Sequence, residues 1–126
     1  MAPDGVFDAG YCHCSMCRRL TGAPLVAWAS LRAEAFRLVS GEVRYYYSSL
    51  QCRRGFCPVC GGQLFYDGPG MPGLCGIHTA TLDRPAPPAL RPRLHMCFAD
   101  RLPWLALGED GLPRFADNRL SHPDKR

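Results

Sequence analysis

The chain has 126 residues, of which 47% are hydrophobic and 21% charged, and its formal net charge is +4. These values predict one soluble globular domain over residues 1–126, because the length supports one hydrophobic core but not two. No stretch approaches the roughly 20 apolar residues of a membrane span, and the first ten residues lack the basic and apolar segments of an export signal. We therefore expect a cytoplasmic protein with no membrane partner.

The positive charge is weak evidence for a nucleic-acid partner. Of the fifteen basic residues, all but Lys125 are arginines, and they are spread along the chain rather than massed in one patch. The abundance of Ala, Pro and Gly points to a compositional bias of the genome as the source of these arginines. We do not expect nucleic acid as a partner.

The first element is a C-H-C-S-M-C run at residues 12–17. In an extended segment alternate side chains project to one face, so Cys12 and Cys14 lie about 6.6 Å apart while His13 points away. That separation is too wide for an easy disulfide and suits two ligands of one metal ion. A turn through the next two residues brings Cys17 back as a third ligand.

Three cysteines leave one of the usual four positions of a zinc ion without a local ligand. An open position is typical of a catalytic or substrate-binding metal, and Arg18 and Arg19 follow where they could offset the thiolate charge. The alternative is that a distant residue closes the site and the metal is only structural. We expect His13 to be packed or solvent-facing rather than a ligand.

Short segments rich in strand formers and bounded by Gly, Pro and Ser follow along the chain. They lie at 24–31, 36–39, 42–47, 63–66, 74–79 and 94–98. Helical signals are limited to single turns at 15–20 and 32–36. The proline-rich segment 84–92 is predicted to be a surface connection, and the polar segment 118–126 a loose tail. The pattern predicts an all-β fold with its core at about residues 11–115.

A second thiol pair, Cys57 and Cys60, is followed by two glycines in a turn of the zinc-knuckle type. Two thiolates cannot saturate zinc, so either other cysteines join the pair, or it completes a site with the first run, or it binds nothing. We interpret the eight cysteines as thiols rather than disulfides because no export signal is evident. The isolated Cys52, Cys75 and Cys97 are expected to be small buried hydrophobes.

Four segments carry a resemblance to a known family: CHCSMCRRLTGAP, YYSSLQCRRGFCPVCGGQLF, TATLDRP and HMCFADRLPWLAL. In this order they resemble the glutathione-dependent formaldehyde-activating enzymes, a family that also includes centromere protein V. The similarity runs from about residue 11 to residue 115, and the combination of segments is far more specific than any one of them. The resemblance implies a β-tent of antiparallel sheets with two zinc sites.

The resemblance also implies roles for the cysteines. Cys12, Cys14 and Cys17 fall on the ligands of the catalytic zinc, whose open position receives the thiol of glutathione. Cys57 and Cys60 fall on ligands of a structural zinc. The family usually carries a further C-x-C strand some twenty residues before the catalytic run, whereas none of the eleven residues before Cys12 is cysteine. We therefore expect one zinc ion and hold the second in doubt, unless another thiol such as Cys52 is recruited.

The activity implied is that of a zinc-dependent carbon–sulfur lyase, similar to S-hydroxymethylglutathione synthase, acting on glutathione adducts of formaldehyde or a similar small electrophile. We expect Arg18 and Arg19 to bind the carboxylates of glutathione, and no residue is identifiable as a general base. Two alternatives remain open: a non-catalytic zinc-dependent thiol carrier, and a binding module like centromere protein V. The chain allows a homo-oligomer.

Several other residues fall on motif positions of the family. Ser48, Ser49 and Arg54 match such positions without an assigned role. Trp104 matches a Pro-Trp pair near the C-terminus, and we expect it to lie in the core.

Overall fold

The computed structural model describes residues 5–117, and this part of the chain is built mainly from short strands. The strands are β1 Val6–Cys12, β2 Val26–Arg32, β3 Arg44–Tyr47, β4 Arg53–Phe56, β5 Gln63–Asp67, β6 Leu74–His78 and β7 His95–Met96. One α-helix, α1, spans Ser15–Thr21, and single 3-10 turns lie at Ala33–Ala35, Thr79–Thr81, Pro88–Leu90 and Phe98–Asp100. The all-β class is confirmed.

All seven strands join one mixed sheet in the order β3-β4-β5-β6-β2-β1-β7. Every neighbouring pair is antiparallel except β1 and β7, which run parallel. The parallel pair aligns Tyr11 with His95 and Cys12 with Met96. This pairing brings the segment around residue 97, far away in sequence, beside the end of β1 where the thiol run begins.

The core has two clusters that share the central strand β2. One contains Ala9, Ala29 and Ile77. The other is built from residues around the end of β1 and the start of β2, namely Cys12, Cys17, Val26, Trp28 and Leu94. Two cysteines of the thiol run are therefore core residues. Their positions are fixed by packing rather than by the loop alone.

The strands predicted at 24–31, 42–47, 63–66 and 74–79 are confirmed with small shifts of their ends, and that at 94–98 is reduced to β7. The strand predicted at 36–39 is wrong, because Leu38 and Val39 are 49% and 81% exposed and pair with no strand among residues 5–117. The turns at 15–20 and 32–36 form as α1 and a 3-10 turn.

Two strands were not predicted. The sequence of β1, VFDAGYC, contains Asp and Gly, which are depleted in strands. The sequence of β4, RRGF, looks like a polar loop, yet it lies between β3 and β5. Gly55 is needed there because a Cβ would lie 2.8 Å from the ring of Phe65, its partner in β5.

Outside the sheet, one prediction fails and one lies beyond the described residues. Trp104 is 71% exposed and not a core residue, because it lies in a surface turn closed by a hydrogen bond from the Leu105 N–H to the Leu102 oxygen. The segment at 84–92 forms a connection with a single 3-10 turn, as predicted. The tail predicted at 118–126 lies outside the described residues. Across residues 5–117, no helix has the length and apolar character needed to cross a membrane.

Candidate metal centre and substrate cavity

The thiol run places three sulfur atoms together at the junction of β1 and α1. The Sγ atoms of Cys12, Cys14 and Cys17 all lie within 4.8 Å of one another. Cys12 is the last residue of β1, Cys14 is the N-cap of α1, and Cys17 lies in the first turn of the helix. The Cys14 Sγ accepts a hydrogen bond of 3.3 Å from the backbone N–H of Cys17, which fixes their separation. We call these three residues the thiol triad.

The triad fits a tetrahedral zinc ion. Zinc–sulfur bonds of about 2.3 Å place two sulfur ligands about 3.8 Å apart, so separations within 4.8 Å need a contraction of about 1 Å or less. Two of the three thiols are buried and one is half-buried. This is the only group of three or more Cys, His, Asp or Glu side chains with metal-binding geometry in residues 5–117. Sequence spacing predicted it because all three ligands are local.

The three thiols divide their charge unevenly. Hydrogen bonding with Cys12, then with Cys17 and Cys97, holds the pKa of the Cys14 thiol far below its usual range. The reciprocal hydrogen bonds and burial raise the pKa of Cys12 and of Cys17. The hydrogen bonds thus favour a thiolate at Cys14 over one at Cys12 or Cys17. A cation at the centre of the triad would replace those shared protons.

The triad opens into a cavity of about 250 Å³. Its apolar walls include Val26, Trp28, Met71 and Met96. Further lining comes from β4, β5, β6 and the segment before β4, which contribute Ser49, Gln51, Cys52, Arg54, Tyr66 and His78. The cavity therefore combines reactive sulfur, an apolar lining and a few polar groups, which is the usual composition of a small-molecule site.

Residues 4–100, most of the chain, match the sequence profile of a family described as glutathione-dependent formaldehyde-activating enzyme. The chain belongs to this family. No curated protein matches it. The match covers both thiol motifs and the whole sheet, so the triad and the residues that line its cavity lie within the matched range.

In this formaldehyde-activating family member, His13 faces away from the cavity, as predicted. Its Nε2 lies 2.9 Å from the Nδ1 of His95, and its ring stacks edge-on against Phe98. His13 is fully buried, and burial lowers the pKa of its imidazole to about 4, with further lowering by His95 and nearby arginines. His13 is thus a packed residue that ties the triad backbone to β7.

Cys97 is a site residue that the sequence prediction missed. It was expected to be a buried hydrophobe, but it is half-buried and lines the cavity beside the triad. Contact with Cys12 lowers the pKa of its thiol, but contact with Cys14 and burial outweigh this and raise it to about 12. Its backbone has a φ of 55°, and no other non-glycine residue in 5–117 has a positive φ. Only the parallel pairing of β7 with β1 brings it here.

The other two isolated cysteines differ from one another. Cys75 is buried on β6, as expected, and burial raises the pKa of its thiol to about 11. Cys52 is only half-buried and lines the same cavity as the triad, so the expectation of a buried hydrophobe is wrong there. Five of the eight cysteines therefore face one cavity.

The arginines nearest to the triad in sequence do not line the cavity. Arg18 donates to the backbone oxygens of His13 and Asp100, each at 3.3 Å. Together with Arg19 and Trp104 it lines a separate, shallow depression. The charged side chain in the cavity wall is Arg54, whose Nε donates to the Ser48 Oγ at 3.1 Å.

The second thiol pair forms a tight turn before β5. The Cys57 N–H donates to the Gly62 oxygen at 2.9 Å, and the Gly61 N–H donates to the Cys57 oxygen at 2.8 Å. Gly61 takes a φ of 78°, which lets the chain reverse. Backbone N–H donation, first from Cys60 and then from Val59, lowers the pKa of the Cys57 thiol. No third metal-binding side chain joins the pair within the described part of the chain.

Proposed function

We propose that the protein is a zinc-dependent enzyme that adds the thiol of glutathione to formaldehyde or a related small aldehyde and also catalyses the reverse carbon–sulfur cleavage. The observation that carries this proposal is the thiol triad at the base of an open cavity in a member of the formaldehyde-activating family. Three ligands leave room for a substrate thiol as the fourth, whereas four would make a closed structural site.

Cys12, Cys14 and Cys17 would hold the metal ion. Zinc supplies a Lewis-acidic position at which a bound thiol stays deprotonated at neutral pH. The three cysteines would supply the negative charge that balances the ion and would fix the geometry of that open position. Because zinc–thiolate binding requires reduced cysteines and all eight are free, we propose the cytoplasm as the compartment.

The proposed addition needs no reactant other than the thiol and the aldehyde. The thiol sulfur forms a bond to the carbonyl carbon, and the electron pair of the carbonyl π bond moves to the oxygen. The proton lost by the thiol ends on that oxygen, giving an S-hydroxymethyl group. The apolar cavity walls of Val26, Met71 and Met96 exclude water from the forming bond.

We propose Arg54 as the side chain that binds a carboxylate of glutathione, because it is the charged side chain in the cavity wall. The prediction that Arg18 and Arg19 bind these carboxylates instead remains untested. Calorimetric titration of glutathione separates the two assignments. Arg54→Gln should raise the Kd about tenfold, and Arg19→Gln should leave it unchanged; the opposite result would assign glutathione binding to the arginines of α1.

Elemental analysis of the purified protein tests the metal site. We expect about one zinc per chain, lost in Cys14→Ser and retained in Cys75→Ser, which replaces a thiol outside the cavity. The same two variants should respectively lose and keep glutathione binding. A wild-type protein without zinc, or a Cys14→Ser protein that still binds glutathione, would rule out the proposed site.

Rate measurements distinguish an enzyme from a non-catalytic thiol carrier. We expect adduct formation from glutathione and formaldehyde to proceed faster than the background and to saturate with both substrates. If the protein binds zinc and glutathione but leaves the rate at background, it is a thiol carrier rather than an enzyme.

A further inference from the structure

Two buried polar atoms in the cavity wall have no hydrogen-bond partner in residues 5–117. They are the Nε1 of Trp28 and the Nδ1 of His78. The two residues are only 1% and 6% exposed. A buried N–H without a partner costs about 1–3 kcal/mol, and such groups in folded proteins usually meet a partner, water or a ligand.

The sheet register brings these two residues together. Trp28 on β2 and His78 on β6 are directly paired across antiparallel strands, so their side chains project from the same face. Both line the cavity that contains the triad. Trp28 also packs in the same core cluster as Cys12 and Cys17. The two residues thus line the same cavity as the three cysteines of the triad.

The other polar groups nearby already have partners. Tyr66 is held through its side-chain interaction with Ser30, and Arg54 donates to Ser48. The ring of Tyr66 lies 5.6 Å from that of His78 and covers one side of it. Among the described residues that line this cavity, Trp28 and His78 are the ones with a buried polar side-chain atom left for a ligand atom.

We infer that Trp28 and His78 form an oxygen-binding subsite for the electrophile, and that the electrophile is a small neutral aldehyde. This inference rests on the proposed function. An indole N–H is only a donor, so Trp28 suits a carbonyl oxygen. As the carbon–sulfur bond forms, the carbonyl electron pair gathers on that oxygen, where the donor stabilises it. The proton from the thiol then makes a hydroxyl that can donate to His78.

The lining restricts the class of substrate. Val26, Met71 and Met96 surround this part of the cavity, and neither Trp28 nor His78 brings a fixed charge. Burial, assisted by the positive charge of Arg54, lowers the pKa of His78 to about 4, so its imidazole is neutral near pH 7. The cavity wall holds one charged side chain, Arg54, which the proposed function assigns to glutathione, so a phosphate or carboxylate on the electrophile would be desolvated there without a counter-charge of its own.

The chain contains two tryptophans, which allows a direct test. In a ¹H–¹⁵N spectrum of the intact protein, the two indole signals can be assigned with Trp28→Phe and Trp104→Phe. Formamide, which has a carbonyl oxygen but does not react with thiols, is then titrated. We expect a saturable shift of the Trp28 signal that is lost in His78→Phe, while exposed Trp104 does not move. Equal movement of both signals, or of neither, would overturn the inference.

Kinetics give a second, independent readout. Trp28→Phe and His78→Phe should each lower kcat/KM for the aldehyde about 10- to 100-fold, with the Kd for glutathione unchanged. Loss of glutathione affinity with an unchanged dependence on aldehyde would contradict the subsite. Failure of the proposed function appears differently, as absent zinc or absent glutathione binding, whereas the formamide titration requires no catalysis.

Discussion

The Nε2 of His13 lies 2.9 Å from the Nδ1 of His95, and both imidazoles are fully buried. The Nε2 of His95 in turn lies 2.6 Å from the Oδ2 of Asp110. Because the carboxylate accepts, His95 donates from its Nε2, and in the neutral tautomer with that hydrogen its Nδ1 accepts from the Nε2 of His13. The chain of hydrogen bonds thereby links a surface carboxylate to the residue between two triad cysteines.

A double-mutant cycle on this pair should show coupling. His13→Phe and His95→Phe each leave a buried polar atom unpaired, and each should lower the free energy of unfolding by about 1–3 kcal/mol in urea denaturation. The double variant should lose less than the sum by about 1 kcal/mol, because neither polar atom then remains. Strict additivity would mean that the imidazoles do not bond in solution.

Stability should depend on the ionisation of Asp110. Hydrogen bonding from His95, and then from the Leu112 N–H, lowers the pKa of this carboxyl below its usual 3.8. A carboxyl whose pKa is lower in the folded than in the unfolded state stabilises the fold at pH values above its unfolded-state pKa. This stabilisation is lost as the pH falls through the folded-state pKa. The wild type should therefore have a higher Tm than Asp110→Asn at pH 6, and the difference should shrink below pH 3.8.

The neighbouring Glu109→Gln provides the matched control for that comparison, since Glu109 is exposed. Its Tm difference from the wild type should stay small and nearly constant over the same range. A gap between the wild type and Asp110→Asn that persists unchanged at pH 3 would contradict a role of the charge.

Cys97 should be dispensable for metal binding. Its thiol contacts Cys12 and Cys14 but does not belong to the group of three within 4.8 Å. Cys97→Ser should keep about one zinc per chain in elemental analysis, in contrast to Cys14→Ser. If Cys97→Ser loses the metal as well, Cys97 is a fourth ligand and the position assigned to glutathione is closed.

The parts of the site that the sequence predicted are those set by local geometry. The triad spans six residues. The end of β1 and the first turn of α1 together bring its three sulfur atoms close to one another. Cys97, Arg54 and the Trp28–His78 pair depend on which strands are neighbours. Sequence spacing carries no information on that order. The wrong strand at 36–39 has the same origin, since apolar residues form a strand only where a partner strand is present.

Cys57 and Cys60 should make no contribution to zinc content if they lack further ligands. No third side chain with metal-binding geometry joins them within 5–117. Cys57→Ser should therefore leave the stoichiometry at about one and the Tm nearly unchanged. A wild-type value near two that falls to one in Cys57→Ser would show that the pair holds a structural zinc with other ligands.

Gly76 should tolerate no side chain. It pairs with Tyr66 across β5 and β6, and an added Cβ would overlap the tyrosine ring. Gly76→Ala should lower the free energy of unfolding by about 1–3 kcal/mol, as other overpacked cores do. Because Tyr66 lines the cavity, its displaced ring should also reduce adduct formation. Gly62→Ala is the control, since its nearest contact would be the Cys60 Sγ at 3.4 Å. Equal stability of the two variants in urea denaturation would show that the ring of Tyr66 can move aside freely.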